Sequence, residues 1–399
     1  MVEPIYITGA GIVSAIGVGK SETLQSLLQG KTGIGEMKHL KSSHGELPVG
    51  EVKLSNEEMK LMLGAEDTIF HSRTSLIGRL ALREALDEAR LSSDDLGEVH
   101  LISSTTVGGM DLREQHYAEE KDCGEEAAFI ATYSCAKCTE MIAAAFGDFA
   151  SMSTVSTACS SATNAIITGA NMLRCGLADK VVVGGAECLS AFHLNGFNTL
   201  MILDHQQCRP FDRDRAGLNL GEGAAYLVME TESSAMARGV KPLCRLSGYG
   251  NACDAFHQTA SSPDGDGATM AMEEALRVSR LNPAYIDYVN AHGTGTQNND
   301  ESEGRAIRRV FGSDIPPVSS TKSFTGHTTS ASGSIEAVIC ILALEHQFLP
   351  TNINWTTPIE GGIMPVTDIH PRREMKHVLS NAFGFGGNDS SIIISRHDA

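Results

Sequence analysis

The stretch VSTACSSATNA, residues 155–165, places one cysteine, Cys159, between a β-branched run and a series of small residues. Cysteine is among the most frequently buried residue types, so packing alone is its default role. The preceding STVST (153–157) predicts a strand and the following SATNAIITGANMLRCG (161–176) predicts a helix. Helix N-terminal amides lower the pKa of a nearby thiol, which favours the reactive thiolate. The rest of the chain must decide between a packing residue and a nucleophile.

Composition narrows the class of protein. The chain has 399 residues, of which 42% are hydrophobic and 20% charged, so it can bury a large core. A net charge of −18 lacks the basic excess that binding a nucleic acid duplex needs. We see no apolar run long enough to span a membrane and no basic leader, so we expect a cytoplasmic protein without membrane contact.

The ten cysteines do not resemble a secreted disulfide framework, and we expect most to be free thiols. Cys135 and Cys138 form a C-x-x-C pair, but a zinc site would need a second pair at matching spacing. We therefore expect two thiols on a helix and no bound metal.

Strand-like and helix-like stretches alternate along the chain, which predicts an α/β fold. YITGAG near the start and RLSGYG near residue 245 are both strands ending in Gly-x-Gly, and each precedes a later Ser/Thr-rich strand end and a small-residue helix. This echo predicts two similar halves, residues 1–240 and 241–399. The first Gly-x-Gly is not a dinucleotide fingerprint, because Ser14 stands where the third glycine belongs. The predicted strands cover residues 5–11, 99–104, 153–157, 180–187, 224–230, 243–250, 286–293, 317–321, 377–387 and 390–395; the predicted helices include 74–89, 161–176, 266–280 and 332–347.

Three further strand ends carry chemically useful residues. His292 lies in NAHGTGTQNND, where Thr294 and Thr296 offer hydroxyls to a polar ligand. Lys322 and His327 lie in STKSFTGHTTSASGSIEA, followed on the next helix by Glu336.

The fourth element, NAFGFGGND (381–389), brackets Phe383 and Phe385 with glycines. Such a turn can present backbone N–H groups to an oxyanion and an aromatic ring as a movable gate. One cysteine and two histidines at strand ends form a nucleophile with two hydrogen-bonding partners, and a papain-like protease fits this order poorly.

Taken in order along the chain, these motifs resemble the β-ketoacyl-acyl carrier protein synthases, condensing enzymes of the fatty acid synthase I/II type in the thiolase superfamily. The resemblance covers nearly the whole chain. It rests on TACSSA, HGTGT, KSFTGH and NAFGFGG, together with RPFDRDRAGLNLGEGAA (209–225), VVVGGAE (181–187) and DAFHQTASSPDGDG (254–267). It implies a thiolase fold of two similar halves in an α-β-α-β-α arrangement, with the cysteine in the first half and both histidines and the GFGG loop in the second.

The resemblance also implies roles. Cys159 would accept an acyl chain from the phosphopantetheine arm of acyl carrier protein, with no cofactor. His292 and His327 would hold the malonyl thioester and stabilise the enolate formed on decarboxylation, and Lys322 would keep them polarised. The N–H groups of Cys159 and Phe385 would form the oxyanion hole.

Further roles follow from the same resemblance. Thr294 and Thr296 would bind pantetheine, Phe385 would gate the acyl pocket, and Val107 would lie at its bottom. Glu336 and Asp300 would support the site from behind. The implied activity is decarboxylative Claisen condensation in fatty acid chain elongation.

Several positions depart from the family pattern: Gln297 follows HGTGT, residues 328–333 read TTSASG, and Asn388-Asp389 follows GFGG. These departures favour, as an alternative, a pathway-specific type II polyketide or polyene ketosynthase. A chain-length-factor-like subunit would lack the active cysteine, so Cys159 disfavours that reading, and a thiolase would carry a second cysteine near His327. The resemblance implies a homodimer paired around the strand Ser153–Thr157, and a heterodimer with a cysteine-less relative is the alternative.

Overall fold

The computed structural model describes residues 3–65, 71–120, 133–371 and 373–399. The strands are β1 (Ile5–Ser14), β2 (Gly17–Val18), β3 (Val99–Ser104), β4 (Ser151–Val155), β5 (Lys180–Glu187), β6 (Gly223–Thr231), β7 (Cys244–Cys253), β8 (Tyr288–Asn290), β9 (Val318–Ser319), β10 (His377–Gly384) and β11 (Asn388–Arg396). The α-helices are α1 (Lys20–Leu28), α2 (Asn56–Leu63), α3 (Arg73–Glu88), α4 (Met110–Glu120), α5 (Cys135–Ala143), α6 (Ser161–Arg174), α7 (Ala191–Thr199), α8 (Glu232–Arg238), α9 (Asp266–Ser279), α10 (Gln297–Phe311), α11 (Lys322–Thr325) and α12 (Ser332–His346). Short 3-10 helices span Ser93–Glu98, Pro283–Tyr285 and Thr329–Ala331.

The strand order repeats itself about the centre of the sheet. The described strands follow the order β4-β3-β5-β6-β1-β7-β11-β10-β8-β9, with β2 attached to β1. Outward from the β1–β7 pair, each side has two antiparallel pairings followed by two parallel ones. Both halves therefore use one topology, which confirms the expected α/β fold with two similar halves.

Two helices form the central layer. Helices α6 and α12 pack on each other, and each contacts strands of both halves, whereas α3 covers β1 and β6 and α9 covers β7 and β11. All residues of α12 from Ser332 to Leu344 are buried. A helix that is apolar on every side belongs in an interior rather than on a surface. This central layer positions the site, because α6 starts just after Cys159 and α12 just after His327.

The Gly-x-Gly pairs allow close packing of the outer helices. A Cβ on Gly11 in β1 would lie 2.1 Å from the carbonyl oxygen of Ala81 in α3, and one on Gly250 in β7 would lie 2.2 Å from that of Ala271 in α9. No real side chain tolerates such distances. The echo in the sequence thus reflects the same helix-on-strand contact made twice.

The predicted strands match the observed ones well, with two exceptions. Residues 286–293 and 317–321 contain only the short strands β8 and β9, because the chain leaves the sheet early to form the loops that carry His292 and Lys322. Cys135 and Cys138 lie on α5. They and the other described cysteines are free thiols. The division of the two halves at residue 240 stays a prediction; β1 of the first half and β7 of the second pair in one sheet. Among the described residues, no helix has the length and apolar character to cross a bilayer.

Replacing Gly250 with Ala should lower the free energy of unfolding by about 1–3 kcal/mol, because the added Cβ overpacks the β7–α9 contact. Urea unfolding measures the change. Gly97→Ala is the matched control, since an added Cβ there meets nothing within 4 Å. Equal stability of the two variants would contradict the packing role of the glycine pairs.

Candidate active site

Cys159 lies in a tight turn between β4 and α6. Ala158 adopts a φ of 53°, in the left-handed region that costs an L-residue about 1–2 kcal/mol. Small hydroxyl side chains hold the turn: Ser161 Oγ donates to the Ala158 carbonyl at 2.6 Å and accepts from the Thr157 N–H at 2.8 Å. The turn places a buried thiol just before the start of α6, which is the predicted position of the nucleophile.

The two histidines face each other across the site. His292 and His327 are 3% and 2% exposed, and their rings meet edge to face with centroids 5.3 Å apart. Glu303 in α10 holds the His292 loop by accepting the N–H groups of His292 and Gly293, both at 2.8 Å. Two loops from different strands therefore place two imidazoles in one buried space.

Both imidazoles are neutral at ordinary pH. Burial lowers the pKa of His292 and of His327 well below the usual range, and the Lys322 ammonium lowers both further. His327 Nδ1 lies 3.0 Å from Ser332 Oγ. When that hydroxyl donates to Nδ1, the Nε2–H of His327 is free to donate to a ligand.

Lys322 and Glu336 form an ion pair behind the histidines. Lys322 Nζ donates to Glu336 Oε1, and the side chains are 2% and 3% exposed. Burial raises the pKa of Glu336 to about 7, although Lys322 opposes the rise. Glu336 therefore partners Lys322, and the positive charge acts on the histidines through space.

The Cys159 thiol does not have the lowered pKa that the helix N-terminus led us to expect. Burial raises its pKa to about 11, while Lys322 and the hydrogen bond from the Phe385 N–H lower it only in part. Loss of hydration raises the pKa more than the favourable interactions lower it, because Cys159 is only 5% exposed. The resting form at neutral pH is the thiol.

The GFGG turn packs directly against the Cys159 turn. Gly386 and Gly387 have φ values of 86° and 77°, and a Cβ on Gly384 would lie 2.8 Å from the Thr157 carbonyl oxygen. The Phe385 N–H donates to the Cys159 sulfur. The turn thus brings a backbone donor to the place where an oxyanion hole was predicted.

A side-chain amide fixes the relative position of these two turns. Asn388 Oδ1 accepts from Ser160 Oγ at 2.7 Å and from Asn164 Nδ2 at 2.6 Å. The amide ties the base of the GFGG turn to the start of α6.

A small pocket of about 60 Å³ opens onto these groups. Phe385 closes it and stacks on Phe197 of α7, with ring centroids 5.7 Å apart and planes 22° apart. Ligand pockets usually measure about 300–1,000 Å³, so an acyl chain requires the rings to move. The pocket is lined by Cys159, Phe197, Ile202, Leu218, Thr259, Ala260, Ser261, His292, Thr294, Thr296, Asn298, Asn299, His327, Phe383, Gly384 and Phe385.

Most predicted site residues meet at this pocket. Lys322 and Glu336 lie behind the lining, and Val107 does not belong to it. Asp300 lies deeper still, where it accepts the N–H groups of Phe211 at 2.8 Å and Gly295 at 3.2 Å and so braces the loop of Thr294 and Thr296.

Three functional positions escaped the sequence reasoning: Glu303, Asn388 and Phe197. Glu303 follows His292 by eleven residues and lies in the middle of α10, where an acidic residue is usually exposed to solvent, so the sequence gives no signal of its role. Asn388 was noted as a departure from the family pattern, without its bonds to α6. Phe197 carries no signal, since a single aromatic residue is usually part of a core.

Comparisons with known proteins agree with this site. Residues 2–235 match the N-terminal domain of the β-ketoacyl synthases, and residues 243–356 match the C-terminal domain. The chain belongs to the β-ketoacyl synthase family. A relative is 3-oxoacyl-[acyl-carrier-protein] synthase 2 of Synechocystis sp., 32% identical over 98% of both chains.

Two solved structures also resemble this β-ketoacyl synthase closely. A chain of the ishigamide ketosynthase/chain length factor structure is 30% identical over 100% of both chains, with a TM-score of 0.89. A ketosynthase from Xenorhabdus doucetiae, solved with its chain length factor, gives 31% identity over 99% of this chain and 98% of that chain, with a TM-score of 0.84. The predicted family, thiolase fold and acyl-transferring enzyme class are confirmed; the roles of single residues stay predictions.

Replacing Lys322 with Met should lower the free energy of unfolding by about 3 kcal/mol, because Glu336 is left buried without its partner. Adding Glu336→Leu should restore most of that loss, as urea unfolding of both variants would show. Lys137→Met is the control, since Lys137 and its partner Glu140 are 45% and 50% exposed. If the double variant loses as much free energy of unfolding as the Lys322→Met and Glu336→Leu variants lose together, the pairing is refuted.

Replacing Phe385 with Ala should speed labelling of Cys159 by a bulky maleimide roughly tenfold, while iodoacetamide, which is small, reacts at a similar rate. The reason is that the ring closes a 60 Å³ pocket. Mass spectrometry of the Cys159 peptide separates it from the exposed Cys175 and Cys253. Phe256→Ala, at a ring that is 55% exposed, is the control. A maleimide labelling rate that is the same in Phe385→Ala and in the unmodified protein would contradict a gate.

Proposed function

We propose that this β-ketoacyl synthase catalyses the decarboxylative Claisen condensation of malonyl-acyl carrier protein with an acyl group held on Cys159, in fatty acid chain elongation. The observation that carries the proposal is the convergence of a thiol, two neutral imidazoles and the Phe385 N–H at one small pocket. The Synechocystis relative bears the name of that activity.

The first step is transfer of the acyl chain from the carrier protein. The Cys159 sulfur attacks the thioester carbonyl, the new S–C bond forms, and the bond to the pantetheine sulfur breaks. The Cys159 proton leaves with the pantetheine thiol. The N–H groups of Cys159 and Phe385 stabilise the tetrahedral oxyanion. Because the resting Cys159 is a thiol, its proton must leave the sulfur as the new S–C bond forms.

The second step joins two carbons. His292 and His327 hold the malonyl thioester oxygen, and loss of carbon dioxide leaves the electron pair in an enolate at that oxygen. The enolate carbon attacks the acyl carbonyl on Cys159, the C–C bond forms, and the C–S bond breaks. The Cys159 thiolate takes up one proton from solvent. Neutral imidazoles suit this step because they donate hydrogen bonds without protonating the carbanion.

The pantetheine arm enters past two hydroxyls. Thr294 and Thr296 line the pocket, with their Oγ1 atoms 2.9 Å apart, and they bind the arm's amide groups. Phe385 swings aside as the gate. The proposal requires no cofactor beyond the arm itself, and its protein partner is acyl carrier protein.

A dimer would use the edge of the sheet that β4 forms among the described strands. β4 is the terminal strand in the sheet order, and its first three residues, Ser151, Met152 and Ser153, are exposed. An uncharged edge strand without proline readily pairs with another strand. We propose a homodimer joined along β4, slightly N-terminal to the stretch expected from sequence.

A second candidate is a pathway-specific polyketide or polyene ketosynthase paired with a chain length factor. The ishigamide and Xenorhabdus doucetiae structures, about 30% identical to this chain, favour it. In that case β4 would pair with a cysteine-less relative rather than with a second copy.

Intact-protein mass spectrometry after incubation with acyl-acyl carrier proteins of several chain lengths tests both candidates. The unmodified protein should gain one acyl mass and Cys159→Ala should gain none, because the nucleophile is lost. Cys175→Ala, at an exposed thiol, is the control and should load normally.

The same samples under native conditions report whether two copies associate. Loading of saturated chains by a homodimer supports fatty acid elongation. Loading only after addition of a chain-length-factor-like subunit supports the second candidate. Condensation at the normal rate by Cys159→Ala would overturn the assignment of the nucleophile.

A further inference from the structure

A polar cluster, buried except for the half-buried Thr106, lies next to the gate, and the proposed condensation uses none of it. Its members are Thr106, Glu187, His193 and Thr329, which we call the gate cluster. His193 is 7% exposed, and its N–H is capped by Ser190 Oγ at 3.1 Å, so its place at the start of α7 is fixed. A hydrocarbon acyl chain has no need of such groups, because each must keep a hydrogen-bond partner when buried.

The gate cluster touches the gate through one ring. The His193 ring meets the Phe197 ring nearly edge-on, with centroids 6.4 Å apart, and Phe197 stacks on Phe385. On its other side His193 reaches Thr106, the residue before Val107. The cluster therefore adjoins the gate, although none of its four residues lines the 60 Å³ pocket while Phe385 and Phe197 are stacked.

The directions of the hydrogen bonds show which nitrogen of His193 can accept a hydrogen bond from a ligand. Thr106 gives its single hydroxyl proton to Glu187 Oε2, which also accepts the Thr106 N–H at 2.8 Å. Thr106 Oγ1 can then only accept from His193 Nε2, 3.3 Å away, so that nitrogen carries the proton. His193 Nδ1 is left as an acceptor. Among the described residues this nitrogen has no hydrogen-bond partner, and it is accessible to solvent.

Backbone strain shows that the cluster is held in place. Thr329 adopts a φ of 45°, an unfavourable conformation for a β-branched residue, and its hydroxyl donates to Glu187 Oε2 at 3.3 Å. Strain of this kind persists only where the surroundings over-determine it. Thr329 is also two residues from His327, which links the cluster to the catalytic loop.

We propose that His193 is a specificity-determining residue that binds acyl chains bearing a hydroxyl group, whose O–H donates to His193 Nδ1 once Phe385 and Phe197 move aside. This inference rests on the proposed acyl loading of Cys159 and deepens it by naming the substrate class. A hydroxyacyl chain satisfies the free nitrogen, whereas a saturated chain buries it without a partner.

Transfer of acyl groups to Cys159 from octanoyl-pantetheine and from its 3-, 5- and 7-hydroxy derivatives tests the proposal, with quenched intact-protein mass spectrometry as the readout. At least one hydroxy isomer should load about five- to tenfold faster than octanoyl, the value of one hydrogen bond. His193→Leu should bring that ratio to about one, mainly by speeding octanoyl loading.

Two further variants complete the test. Phe192→Leu, at a neighbouring ring that is 57% exposed, should keep the ratio of the unmodified protein. His193→Asn can place an amide oxygen near the position of Nδ1 and should retain part of the preference, so the proposal remains testable if the Leu variant misfolds.

The outcomes separate this inference from the proposed function. No loading of any thioester overturns the proposed function and the inference together. Loading of octanoyl as fast as every hydroxy isomer, or a ratio that survives both His193 variants, overturns the inference alone and leaves acyl transfer standing.

Discussion

The buried ammonium of Lys322 is the constraint around which the site is organised. Among the described residues its charge pairs with one carboxylate, Glu336, and it lies beside two imidazoles that burial already disfavours as cations. The Lys322 ammonium lowers the pKa of both histidines, so they stay neutral. Its own proton is held by the ion pair with Glu336. Glu336 lies on the central helix α12, whose residues from Ser332 to Leu344 are all buried, and Lys322 is 2% exposed, so the ion pair is kept away from water.

Much of this arrangement was visible in the sequence, for physical reasons. Nucleophile and histidines sit where strands end, and strand ends are signalled by a switch from β-branched runs to glycine and small polar residues. The repeat of Gly-x-Gly was visible too, because a helix approaching within contact of a strand backbone excludes every side chain.

Other features were not visible, because they depend on tertiary contacts. Glu303 and Asn388 act by accepting hydrogen bonds from distant residues, and an acceptor of that kind has no local signature. The pKa of Cys159 was misjudged in direction, since the sequence shows the helix that lowers it but not the burial that raises it. Val107 was placed by resemblance at a pocket whose described lining does not include it.

The closed state of the pocket has a consequence for chemical fidelity. In the proposed mechanism, a thioester on Cys159 can pass its acyl group either to the incoming carbanion or to water, and only relative rates decide the partition. The resting pocket has a volume of only about 60 Å³, so an acyl chain must displace the stacked Phe385 and Phe197 rings and fill the space that they leave. A chain that fits this space tightly keeps water from the thioester, so the intermediate lasts until the second substrate arrives.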